Sequence, residues 1–137
     1  ISGGFGLLGQ SLCEKLNKKK YNLFILDKIK NKKRNNFHYK KTLNIVHGDF
    51  NDKKFISNLI KSKKINIIFH TGAITQVLES LKNPYETYKT NIMGTINILE
   101  AIRKIDPKIL MIYSSSDKAY GELKNKEYKE NDNLFAI

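Results

Sequence analysis

Ser2-Gly3-Gly4-Phe5-Gly6-Leu7-Leu8-Gly9 runs straight into an amphipathic stretch, and Asp27 closes the next apolar run. Gly4, Gly6 and Gly9 fit G-x-G-x-x-G, while Gly3, Gly6 and Gly9 fit G-x-x-G-x-x-G. Such spacing lets the backbone turn tightly and approach a pyrophosphate, and lets a helix sit close to the preceding strand. The helix that opens there points free N–H groups and its positive dipole end at an anion. A glycine run alone is often only a turn. An acidic residue about twenty positions on makes it the fingerprint of a dinucleotide pocket.

Outward from that stretch, short apolar runs alternate with helical periodicity, which predicts an α/β fold with crossover helices. Leu8, Leu12 and Leu16 mark the first helix, with Cys13 on its Leu-rich face. Residues 22–27, 43–47, 65–70 and 108–113 read as strands, the 65–70 run apolar enough to be buried on both faces. Residues 28–41 read as a polar loop and the tail from Gly121 as aperiodic. Asp52 is placed to cap a helix carrying Phe55, Ile56, Leu59 and Ile60. Asn83-Pro84 opens another, in which Tyr85, Tyr88, Ile92, Ile96, Leu99 and Ile102 step by three and four until Asp106-Pro107 stops it. The prediction is a Rossmann-type doubly wound parallel sheet, truncated in its first strand, of which Ile1 and Ser2 remain. The 43–47 and 22–27 runs lie on one side of that central strand, and the 65–70 and 108–113 runs on the other. With the central strand cut short, the isolated segment is expected to be unstable.

The 137 residues suit one domain, 1–137. The net charge of +12 invites a nucleic-acid partner, but Arg34 and Arg103 are the only arginines. Nucleic-acid surfaces favour the planar guanidinium fork. The lysines fall where solvated faces and helix ends are expected, at 18–20, 61–64 and in the 28–34 loop. No specific nucleic-acid partner is therefore read from the charge. No apolar run is long enough to span a bilayer. Cys13 is the single cysteine and reads as core filling, and a cytoplasmic setting fits.

In a doubly wound sheet, ligands bind at the C-terminal edge of the strands. Gly3 to Gly9, Asp27, Asp49, Thr71-Gly72-Ala73 and Ser114 to Lys118 all fall there. Asp27 would accept from the adenosine ribose hydroxyls. A carboxylate there repels a 2′-phosphate, which favours NAD over NADP, with Lys28 and Lys30 softening the preference. Asp49 reads equally as a contact to the adenine amine or as a turn residue. His70 reads as a satisfied core histidine, and no metal site is expected, since no partner ligand has suitable spacing. Gly72 lets backbone pass close to a cofactor. Asn91 shares a helix face with apolar residues, and holding a neighbouring loop would satisfy it. Ser116, Asp117 and Lys118 bring a hydroxyl, an acid and an amine to one strand end, where they read either as a polar turn or as groups that bind a sugar hydroxyl and move protons.

The chain resembles the extended short-chain dehydrogenase/reductase family, specifically its nucleotide-sugar epimerases and dehydratases. Ser2 to Gly9 resembles the family's Thr-Gly-Gly-x-Gly-Phe-x-Gly opening, and Gly48-Asp49 its Gly-Asp. Ile67 to Ala73 resembles Val-Phe-His-Leu-Ala-Ala, with Thr71-Gly72 where Leu-Ala is usual. Thr90 to Thr95 and Asn97 to Ala101 resemble Thr-Asn-Val-x-Gly-Thr-x-Asn-Leu-Leu-Glu-Ala. The resemblance implies an NAD cofactor held at Gly3, Gly6, Leu7, Leu8, Gly9, Asp27, Asp49, Phe50, Thr71, Gly72, Ala73 and Asn91. It also implies a nucleotide-diphosphate sugar as substrate, a homodimer with residues 85–104 as a candidate contact, and a C-terminal substrate domain that this chain lacks.

Ser115 to Gly121 resembles the family's Ser-Thr-Asp-Glu-Val-Tyr-Gly, which implies catalytic roles for Ser116, Asp117 and Lys118. The family's Tyr-x-x-x-Lys pair is expected just past Ile137; neither Tyr120 nor Tyr128 has Lys four residues on. The fragment is thus expected to bind cofactor poorly and to catalyse nothing alone. An acid beside the Ser, followed by Lys, resembles the CDP-glucose type of 4,6-dehydratase: oxidation at C4, loss of water across C5–C6, hydride return. The alternatives are a nucleotide-sugar 4-epimerase, in which Asp117 and Lys118 only shape the sugar pocket, and a non-catalytic NAD-binding or RNA-associated member of the fold.

Overall fold

A computed structural model describes residues 1–19, 21–28, 43–121 and 127–134. Helix α1 (Leu7–Asn17) leads into strand β1 (Phe24–Asp27). Strand β2 (Asn44–His47), helix α2 (Lys53–Ser62) and strand β3 (Ile67–His70) follow. Two short helices, α3 (Val77–Lys82) and α4 (Pro84–Tyr88), precede a π-helical segment over Lys89–Met93 and helix α5 (Gly94–Ile105). Strand β4 (Leu110–Tyr113) ends in a 3₁₀ turn, Asp117–Tyr120. Residues 29–41 of the expected loop, Lys30 among them, lie outside the described residues, as do Lys20, Thr42 and residues 122–126 and 135–137.

Local chemistry sets the helix starts. The Asp52 carboxylate accepts from the Lys54 and Phe55 amides, both at 3.0 Å, and so caps α2. Pro84 occupies the first turn of α4, where its missing N–H costs nothing.

The strands form two parallel pairs, β1 with β2 and β3 with β4. Ser2 joins them through parallel bridges to Leu26 and to His70. The spatial order is therefore β2, β1, the Ile1–Ser2 segment, β3, β4, as the sequence predicts. Leu26 and Ile68 face α2 and α5, in a core with Ile56, Ile60, Ile98, Ala101 and Ile102. Ile25 faces the opposite way, toward Phe5 and Cys13. Both faces of β1 are thus covered. The Cys13 thiol is buried, and burial chiefly pushes its pKa up to about 11, which suits an inert core residue.

Three expectations are corrected. The 65–70 strand is not buried on both faces: Ile67 is 49% exposed, because its neighbours α2 and α5 cover only the Ile68 face. Tyr85, Tyr88, Ile92, Ile96 and Leu99 form an exposed stripe, while Gly94, Ile98, Ala101 and Ile102 carry the packing. On the first helix, Gly9 and Cys13 are the buried positions and Leu8 is exposed, since the helix approaches the sheet through its smallest residues. A cavity of about 320 Å³ lies between the starts of β1 and β3, lined among others by Ile1, Phe24, Leu59, Ile65 and Ile67. No helix among the described residues is long and apolar enough to cross a membrane.

Candidate functional site

The chain leaves the sheet at the glycine turn. The Ser2 amide donates to the Phe69 carbonyl at 2.9 Å and the Gly3 amide to the Leu26 carbonyl at 2.9 Å, so the turn springs from between β1 and β3. Gly3 has φ +71°, and a Cβ there would stand 2.4 Å from Gly72 Cα. Only glycine meets both conditions. The Gly6 amide closes the turn on the Gly3 carbonyl at 3.0 Å. The spacing 3-6-9 therefore builds the turn, while Gly4 packs its backbone on the Ile25 side chain. Helix α1 opens at Leu7 behind an extended Gly6 with no side-chain cap. Among the described residues, no acceptor meets the Leu7 and Leu8 amides. Open first-turn amides with the dipole behind them suit a phosphate.

Asp27 ends β1 beside this turn, and its Oδ2 accepts from the Phe5 amide at 3.0 Å. The contact fixes a buried carboxylate against the glycine loop. Asp49 Oδ1 accepts from the Asn51 amide at 2.8 Å, which is the turn role. The Phe50 ring sits in the core, edge-on to His70 at 5.1 Å and pressed against Gly72 and Gly94. Only its main chain is left to meet a ligand, and its carbonyl accepts from Asn97 Nδ2 at 3.3 Å. The Thr71 hydroxyl donates to the Ser2 carbonyl at 2.8 Å, tying the end of β3 to the glycine turn. Gly72 backs onto Gly3, and Ala73 is exposed beyond it.

Asn91 lies in the π-helical segment and grips the loop after β3 with both amide atoms. Its Oδ1 accepts from the Ile74 amide at 2.8 Å and its Nδ2 donates to the Ile74 carbonyl at 2.9 Å. His70 is buried with both ring nitrogens engaged, Nδ1 by the Ser2 hydroxyl and Nε2 by Thr95 Oγ1 at 3.1 Å. Burial chiefly pushes its pKa down to about 4, so the ring is neutral.

Ser116, Asp117 and Lys118 follow β4 on the same sheet edge, and all three are exposed. Ser116 caps the 3₁₀ turn. Its Oγ accepts from the Lys118 amide at 3.2 Å and donates to Asp117 Oδ1 at 3.0 Å. The polar-turn geometry is thus present, with the acid and the amine presented outward. Beyond it the Tyr128 hydroxyl donates to the Gly121 carbonyl at 3.1 Å, and the Tyr120 and Tyr128 rings stack at 5.1 Å.

Sequence reasoning misses four residues that build this edge: Ser2, through its side chain, Phe5, Thr95 and Asn97. Thr95 stands four residues after Asn91, on the same helical face, and that spacing is a usable signal. The Phe5 contact to Asp27 and the Ser2 contact to His70 join distant segments and leave no local pattern.

Comparison with known proteins gives the family. The family model described as GDP-mannose 4,6 dehydratase matches residues 1–136. A CDP-paratose 2-epimerase of Salmonella typhi is 31% identical over 98% of this chain and 41% of its own length. A putative UDP-glucose 4-epimerase of Methanocaldococcus jannaschii is 33% identical over 89% of this chain and 39% of its own. Among solved structures, the UDP-Glc/GlcNAc 4-epimerase of Campylobacter jejuni superposes with a TM-score of 0.85 at 26% identity, covering 100% of this chain and 42% of that one. The UDP-glucose 4-epimerase of Brucella ovis, solved with NAD, shares the fold at a TM-score of 0.82 and 23% identity, over 99% of this chain and 41% of that one. The chain thus spans about two-fifths of the length of these relatives. On the family match, which runs over almost every residue, the chain belongs to the GDP-mannose 4,6 dehydratase family, the NAD-dependent nucleotide-sugar epimerases and dehydratases.

Proposed function

We propose that this chain is the NAD-binding part of a nucleotide-sugar 4,6-dehydratase. The residues fit the cofactor. The open Leu7 and Leu8 amides suit its pyrophosphate, and Asp27 suits the adenosine ribose, with no phosphate on the 2′ oxygen. Bound NAD would supply the hydride acceptor for C4 and return the hydride at the end. Gly3, Gly6 and Gly9 would keep the turn low enough for the pyrophosphate to approach. Thr71, Gly72, Ala73 and the Asn91-held loop would form the adjoining wall, with Asp49 and the Phe50 main chain at the adenine end.

The observation that carries the dehydratase reading is the turn after β4. Ser116 would hold the C4 hydroxyl. Asp117 would give a proton to the departing C6 oxygen, and Lys118 would take the proton from C5, so water leaves across C5–C6. Both groups are exposed here, and the roles require substrate to cover the turn. The test is product analysis of the full-length protein with NAD and candidate nucleotide-diphosphate sugars. A 4-keto-6-deoxy sugar supports the reading; clean inversion at C4 without loss of water sinks it.

The second reading is a nucleotide-sugar 4-epimerase, favoured by the names of the relatives in Methanocaldococcus jannaschii and Yersinia pestis. There Asp117 and Lys118 would only shape the sugar pocket, and Asp117→Asn would leave turnover nearly intact. A homodimer contact would fall on the stripe of Tyr85, Tyr88, Ile92, Ile96 and Leu99, which is exposed, and sedimentation of a Tyr88→Glu variant tests it.

A further inference from the structure

We infer that His70 is a positioning residue, the middle of a one-way hydrogen-bond relay that locks the glycine turn to the loop after β3. The inference rests on the cofactor reading only for its consequence, since the relay itself is geometry.

The polarity of the relay follows from its far end. Thr95 Oγ1 lies 2.7 Å from the Asn91 carbonyl oxygen, which can only accept. The single hydroxyl proton of Thr95 is therefore spent on Asn91. Thr95 must then accept from His70, so His70 carries its proton on Nε2. His70 Nδ1 is thereby an acceptor, and Ser2 Oγ–H is its donor. Every proton has one place: Ser2 gives to His70, His70 to Thr95, Thr95 to Asn91.

Both ends of this line hold cofactor-side loops. Ser2 opens the glycine turn, and its own carbonyl takes the Thr71 amide at 3.0 Å and the Thr71 hydroxyl at 2.8 Å. Asn91 fixes Ile74 through two hydrogen bonds. The Phe50 and Tyr113 rings flank the imidazole at 5.1 and 5.7 Å and leave it little room to turn. Buried ring nitrogens need partners, and here hydroxyls from two separate elements supply them, which makes the imidazole the link between those elements. The relay joins residues 2, 70, 91 and 95, and through them the two loops that would flank a dinucleotide. A neutral buried donor–acceptor pair is also costly to leave half-satisfied, so breaking either end loosens the other.

Two measurements on the full-length protein test this. The first is nitrogen-15 NMR of the imidazole at pH 7, which is expected to show the Nε2–H tautomer; an Nδ1–H tautomer or an imidazolium overturns the relay. The second is hydrogen exchange of the Ile74 amide. Ser2→Ala, made at the glycine turn, is expected to speed that exchange by about two- to tenfold, the worth of one hydrogen bond. In a His70→Phe background the same change should have no further effect, because the link is already cut. An unchanged Ile74 rate, or equal effects in both backgrounds, overturns the inference. His70→Gln, which keeps a donor near the Nε2 position, should retain part of the protection if His70→Phe folds poorly. NAD calorimetry of Ser2→Ala, Thr95→Val and the double variant adds the functional readout. Each single should lose about two- to tenfold and the double little more. Wild type that binds no NAD would fail the cofactor reading alone, since the tautomer and the exchange rates still decide the relay.

Discussion

Gly9 lies against the carbonyl of Gly3: a Cβ on Gly9 would stand 2.4 Å from the Gly3 oxygen and 2.8 Å from Gly4 Cα. Both neighbours are backbone, so neither can swing away. Gly9→Ala is expected to destabilise the fold by about 1–3 kcal/mol, the usual cost of overpacking, read as a lower denaturation midpoint. At Gly6 the nearest atom to such a Cβ is 3.3 Å away and φ is −73°. Gly6→Ala should therefore lower the midpoint less than Gly9→Ala and lose NAD affinity, because its methyl would stand beside the open first-turn amides. Equal midpoint losses for both would refute this division of labour.

Asp27→Asn tests the ribose assignment. The amide oxygen can still accept from the Phe5 amide, so the glycine turn should persist. What is lost is the charge that favours ribose hydroxyls and repels a 2′-phosphate. Hydrogen bonds to a charged group are worth about 1.5–3 kcal/mol, so NAD affinity should fall by roughly one to two orders of magnitude. The ratio of NADP to NAD affinity should rise. Calorimetry with both cofactors reads the outcome, and an unchanged ratio would remove Asp27 from the ribose site.

Much of this edge is legible in the amino-acid sequence, because its parts are local. The glycine spacing, the Asp52 cap and the Pro84 start are each written within a few residues. Helix α3 is not legible there. Its N-cap, Gln76, makes no side-chain cap, and Val77, Leu78 and Leu81 are exposed, so neither a start signal nor a buried face announces it. The stripe from Tyr85 to Leu99 shows a second limit. Periodicity tells which residues share a helix face, and not whether that face meets the core; here Gly94, Ile98 and Ala101 meet it instead. The Ser2–His70 bond spans 68 positions, and nothing in local spacing could reveal it.

Asn91 offers a sharper test than removal. Its Nδ2 donates to the Ile74 carbonyl while its Oδ1 accepts from the Ile74 amide. Asn91→Ala leaves both Ile74 groups without partners, at an expected cost of about 1–3 kcal/mol. Asn91→Asp keeps the acceptor but turns an oxygen toward the Ile74 carbonyl. It should cost at least as much as Ala despite its matching shape. Stability measured by urea titration decides; an Asp variant near wild type would mean that the loop is held some other way.

The low His70 pKa has a pH signature of definite sign. The folded value is about 4, against about 6.5 for an unperturbed histidine. Between these values the unfolded chain binds the extra proton and the folded chain does not. Stability is therefore full above about pH 6.5 and falls as the pH drops toward 4, by about 3 kcal/mol in all. Carboxylates titrate in the same range, so the comparison is wild type minus His70→Asn, which lacks the titrating ring. The difference should show a positive slope of stability with pH in that window and none from pH 7 to 8.

The cavity between β1 and β3 makes the last prediction. Ile1 and Ser2 hold the two strand pairs together through the Ile1 carbonyl on the Leu26 amide at 2.8 Å and the Ser2 amide on the Phe69 carbonyl at 2.9 Å. Toward the strand starts that bridge stops, and Phe24 and Ile67 line opposite sides of about 320 Å³ of empty, largely apolar space. Alone, residues 1–137 should melt without a sharp transition, because two half-sheets share a seam only about two residues long. Placing about four β-branched residues before Ile1 would extend the central strand into the cavity. Each apolar side chain buried there contributes about 1.5–3 kcal/mol before the entropy of ordering it. Calorimetry should then show one cooperative transition at a higher temperature. An extension rich in Asp and Gly, of equal length, should not, and a sharp melt of the unextended chain would show that Ile1 and Ser2 already suffice.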